Sequence, residues 1–114
     1  MKNRVIKSLE DILICITEID SFFEPAGKKF ENFKSNTLLR KGVERNLEII
    51  GEASNRIRKI DDTIIITNSK QIINLRNLII HSYDNINYEL LWAIVINDLP
   101  KLKTEVETLI DKNK

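Results

Sequence analysis

Among its 114 residues the chain has one cysteine, Cys15, and one histidine, His81. A lone cysteine excludes a disulfide within the chain. One Cys with one His also leaves no zinc ligand set of the usual nitrogen and sulfur kind. No metal and no other cofactor is expected, and a chain without disulfides fits a reducing, cytoplasmic setting. Glycine and proline are scarce, three and two, which argues against a turn-rich β fold. The net charge is only +1, so no overall basic field draws in nucleic acid. Any binding of nucleic acid would have to come from local geometry, and no DNA partner is expected. The N-terminal MKNRVIKSLEDILICITEIDSFF scatters charges through its apolar positions, unlike a secretory signal. The longest strongly apolar run, Leu90 to Ile96, falls far short of the roughly 20 residues that span a bilayer. No membrane partner is expected.

What the chain does have is helical periodicity. With 42% hydrophobic and 31% charged residues it reads as one globular domain, 1–114, with a frayed tail at about 111–114. Val5, Leu9, Ile12, Ile16, Ile19 and Phe23 step by four and three, one apolar helical stripe that ends at Pro25 and Gly27. A second helix is predicted from about Thr37 to Ile60, with Leu39, Val43, Leu47, Ile50, Ile57 and Ile60 along one side. The β-branched TIIIT at 63–67 has no second run to pair with and reads as an apolar connector. Asn68 or Ser69 should cap a third helix from Lys70 to about His81, followed by a polar turn, SYDNIN. A fourth starts near Asn87 and meets Pro100, where a kink or a fresh start is expected. Leu90 to Ile96 is apolar all round, so that surface is covered either within the chain or by a partner. The expected fold class is all-α, an up-and-down bundle of four to five helices.

Residues 76–83 read RNLIIHSY and hold the only histidine. An unperturbed imidazole titrates near about 6.5, so His81 can give or take a proton around neutrality. Arg76 is always charged and presents a planar fork suited to phosphate. These are the minimum parts for cutting RNA without a metal. The 2′-hydroxyl attacks its neighbouring phosphate, which needs a base, a cation on the phosphate oxygens and an acid for the departing oxygen. On a straight helix positions 76 and 81 point about 140° apart, whereas Asn77 and His81 stack at i, i+4. Arg76 and His81 therefore converge only if the helix ends near His81, if the Arg curls across, or if two chains contribute. A two-fold dimer would set two Arg and two His around one groove. A His near a helix C-terminus is also favoured by the dipole alone, so spacing by itself does not decide the matter.

RNLIIHSY followed by INYELLW and NDLPKL, with RKGVERNLEIIGEA at 40–53, resembles the HepT family of the HEPN superfamily over nearly the whole chain. The resemblance implies a HEPN-like bundle and a metal-independent ribonuclease toxin that works as a homodimer. In that reading Arg76 and His81 are the catalytic pair at the dimer cleft and Asn77 orders the site. It also implies a partner, a minimal nucleotidyltransferase antitoxin of the MntA type, which attaches AMP to Tyr83. AMP there would add charge beside Arg76 and His81 and block RNA. The chain departs from the family where Asn68-Ser69 replaces a common Pro-Trp pair and Asn74 a common Gly. The alternative is a catalytically silent helical partner that binds and positions a nucleotidyltransferase. A plain dimerisation domain is the third reading.

Overall fold

A computed structural model describes residues 2–74 and 88–113. The first helix, α1 (Lys2–Phe22), turns the expected stripe inward: Val5, Leu9, Ile12, Ile16, Ile19 and Phe23 are all buried. The chain then reverses at Gly27, whose φ of +91° is open to glycine at little steric cost. The Asn32 side-chain amide locks this turn by donating to the carbonyls of Ala26 and Gly27, at 2.7 and 3.0 Å.

Asn32 belongs to a short helix, α2 (Phe30–Ser35), within a stretch expected only to end the first helix. Six residues are too few to show a period. This helix exists because Phe33 is wholly buried and meets Phe23 and Trp92, with ring centroids 6.3 and 5.6 Å away. Asn36 then caps α3 (Thr37–Ile60), its side-chain oxygen accepting from the Leu39 N–H at 3.0 Å. Leu39, Val43, Leu47, Ile50 and Ile57 are buried as expected, and Ile60 is partly so. Helix α3 packs most extensively on α1.

Residues 64–66 are extended without strand pairing, confirming the connector: Ile64 and Ile66 pack on the core while Ile65 is 74% exposed. A 3-10 turn, Thr67–Ser69, leads into helical residues 70–74, and Ile72 is fully buried. The C-terminal rod begins with α4 (Tyr88–Ala93), passes through a π turn (Ile94–Asp98) and continues as α5 (Leu99–Asn113). Helical backbone thus extends through 111–113, the residues assigned to a tail. Pro100 has no N–H, and its ring would crowd the Ile96 carbonyl in a regular helix. The wider turn, closed by the Leu99 N–H on the Ile94 carbonyl, takes up that misfit, so the rod neither breaks nor restarts. Of the all-round apolar stretch, Leu91, Ile94 and Val95 are buried within the chain, while Leu90 and Ile96 stay 40% and 38% exposed. The described residues hold no strand, and the architecture is an all-α bundle.

Candidate functional site

Arg76, Asn77, His81 and Tyr83 all fall between 75 and 87, outside the described residues. What the structure defines is the frame on either side. Asn74 is two residues before Arg76, so covalent geometry alone keeps the two Cα atoms within about 7.6 Å.

The frame on the leading side is set by a residue that sequence reasoning missed. Glu105, on α5, accepts from the backbone N–H of Thr67 at 2.9 Å, and from the backbone N–H and side-chain amide of Asn68 at 3.1 and 3.2 Å. The free N–H groups ahead of a helix need acceptors. Among the described residues neither the Asn68 nor the Ser69 side chain accepts the expected capping bond. Asn68 donates instead of accepting, and the Ser69 hydroxyl donates back to the Ile66 carbonyl at 2.8 Å. A carboxylate 37 residues away takes over because α5 packs directly against this turn. No local sequence signal could have shown this.

Beside the same turn lies a groove of about 740 Å³, walled by the end of α3, the connector and helical residues 70–74. Arg58 and Lys70 supply cations to it, Asn55 and Asn74 amides, and Asp62 one carboxylate. Arg58 donates to the Asn55 side-chain oxygen at 3.2 Å, one turn earlier on α3. Neither cation could be assigned from the sequence, because they come from different elements and meet only through the fold.

On the trailing side, the Arg40 guanidinium sits 4.6 Å above the Tyr88 ring and also donates to the Thr37 hydroxyl and the Lys34 carbonyl. One turn further along α3, Glu44 is buried. Burial pushes its carboxyl above the ordinary value, with Arg40 and Lys41 pulling the other way and Glu48 adding to the rise. Asn46 is buried as well, and satisfied: its amide donates to the Cys15 carbonyl at 3.2 Å and to Glu18 at 3.0 Å.

Cys15 is not a nucleophile in this setting. Burial first, then the charges of Glu18 and Asp11, push its thiol up to about 11 against an opposing pull from Arg45. Among the described residues no group of three or more His, Cys, Asp or Glu could hold a metal ion, and no helix is long and apolar enough to cross a membrane.

Comparison with known proteins is informative. The model of the family described as Ribonuclease HepT-like matches residues 12–109. A Methanocaldococcus jannaschii protein provisionally named an RNase is 39% identical over 109 residues, 94% of this chain and 98% of that protein. Another, from Caldanaerobacter subterraneus subsp. tengcongensis, is 32% identical over 89 residues, 77% of this chain and 80% of its own. A Thermococcus cleftensis protein provisionally named ribonuclease HepT is 33% identical over 105 residues, 89% and 91% of the two chains. No solved structure gives a significant match.

Proposed function

The chain belongs to the HepT-like ribonuclease family, and from that premise we propose that it cleaves RNA without a metal at a cleft shared by two copies. The observation that carries the reading is the family match across residues 12–109 together with Arg76, His81 and Tyr83 in the one stretch that holds the only histidine. One His81 takes the proton of a ribose 2′-hydroxyl as that oxygen bonds to the adjacent phosphorus. The phosphorus–5′-oxygen bond breaks, and the leaving oxygen is protonated by a second imidazole, that of the partner copy. Arg76 holds the phosphate oxygens as negative charge builds on them. Asn77, one turn before His81 on the predicted helix, orders the pair.

The same reading makes the protein the toxin of a toxin–antitoxin pair. A minimal nucleotidyltransferase silences it by transferring AMP to the Tyr83 hydroxyl, releasing pyrophosphate from ATP. The added phosphodiester places a negative charge where the substrate's phosphate would lie. A second reading, a silent partner that only positions the transferase, draws on the net charge of +1 and on the exposure of Leu90 and Ile96.

The purified protein in EDTA should cut RNA. His81→Ala should slow it by about 10²- to 10⁴-fold, the usual range for a lost proton-transfer group, and Arg76→Ala by about 10²- to 10³-fold, as for a lost donor to a developing oxyanion. A loss below tenfold in both would remove the acid–base assignment. Mass spectrometry after incubation with the transferase and ATP tests for AMP on Tyr83.

A further inference from the structure

We propose that the groove between the end of α3 and the turn before the motif holds the single-stranded RNA that flanks the cut, with Arg58 and Lys70 on its phosphates. The inference rests on the ribonuclease reading and adds to it the path of the strand. Three features point to this occupant. The groove lies against residues 70–74, and the chain length from Asn74 allows Arg76 to be no more than about 7.6 Å further on. The groove wall and Arg76 are thus neighbours along the chain, two residues apart at Asn74. The groove also carries two cations against the single carboxylate of Asp62, an excess that suits a polyanion, although the chain as a whole is nearly neutral. Finally, its polar groups are amides and hydroxyls, from Asn55, Asn74 and Ser69, beside the exposed Ile65. That mixture suits a sugar–phosphate backbone with a base laid on an apolar side chain.

Arg58 and Lys70 come from different elements, so each can meet its own phosphate. Both are exposed, and the Arg58 guanidinium donates to Asn55. Asp62 opposes binding by repulsion and sets the groove's affinity below what two cations alone would give.

The test measures binding of a labelled single-stranded RNA to the full-length protein in EDTA, by fluorescence anisotropy across a salt series. All proteins carry His81→Ala so that the RNA stays intact. Arg58→Ala with Lys70→Ala should weaken binding on the order of tenfold at low salt. It should also flatten the dependence of log affinity on log salt by about 1.4, roughly 0.7 for each lost phosphate contact. Asp62→Asn should tighten binding. Lys29→Ala with Lys34→Ala removes equal charge near the start of α3, the opposite end of that helix from Arg58, and should change neither quantity. An unchanged slope in the groove variant would overturn the assignment, and so would an equal loss in the distant one. If the groove variant kept RNA but lost the nucleotidyltransferase, the groove would be a protein-docking face instead. A parent protein that neither binds nor cuts RNA would defeat the ribonuclease reading itself, whereas a cutting parent with an indifferent groove variant defeats only this inference.

Discussion

Glu105→Ala should destabilise the bundle by acting on a turn far away in sequence. The wild-type carboxylate accepts three hydrogen bonds from Thr67 and Asn68, between 2.9 and 3.2 Å. A bond to a charged acceptor contributes about 1.5–3 kcal/mol when buried, and an N-terminal cap about 1 kcal/mol. Glu105 and Asn68 are only partly buried, so water replaces part of what is lost. The expected net cost is about 1–2 kcal/mol. Glu105→Gln retains one carbonyl acceptor and should lose about half as much. With a urea slope of about 1.5–2 kcal/mol per molar, the alanine variant's midpoint should drop by roughly 0.5–1.3 M, read by far-ultraviolet circular dichroism. Glu107→Ala, exposed on the same helix, is the control and should leave the midpoint where it is. RNA cleavage, compared at a temperature where both proteins are fully folded, should also fall for Glu105→Ala, because the turn leads directly into the motif. A midpoint within about 0.2 M of wild type would refute the claim that this carboxylate holds the turn.

Three further outcomes follow from the described residues. Glu44 is protonated more readily in the fold than in the unfolded chain. Its burial penalty is therefore absent below the unfolded value and fully felt once pH passes the folded one. Glu44→Gln should thus gain stability over wild type as pH rises from the ordinary carboxylate range toward neutrality, and a gap that does not vary with pH in paired urea titrations would contradict the burial argument. With its thiol pushed up to about 11, Cys15 should react with iodoacetamide at about pH 8 roughly 10²-fold more slowly in native than in urea-unfolded protein. Gly27→Ala has open space around the new methyl but a φ of +91°, so it should cost about 1–2 kcal/mol from the backbone alone, measured by thermal unfolding.

Helices α1 and α3 were legible because their apolar residues recur on one face over many turns. The connector at 63–67 was legible by exclusion, since a strand needs a partner and the sequence offers none. Helix α2 was not, because its existence depends on Phe33 meeting Phe23 and Trp92, a contact between distant segments. The outcome at Pro100 was half legible: the missing N–H demands an adjustment, but only packing of Leu99 and Leu102 in the core selects a π turn over a break. The stretch at 76–83 stood out because it holds the single histidine, and its residues lie outside the described ones. The contact of Glu105 with Thr67 and Asn68 could not be read, since it joins segments 37 residues apart.

The C-terminal rod also works as a ruler. Glu105 fastens the turn that leads into the motif stretch, and Tyr88, held under Arg40, is where the described chain resumes beyond it. Both belong to one uninterrupted helical segment, which sets them roughly 25 Å apart at about 1.5 Å per residue. The two ends of the motif stretch are thus held at a separation that the rod, not the stretch itself, dictates.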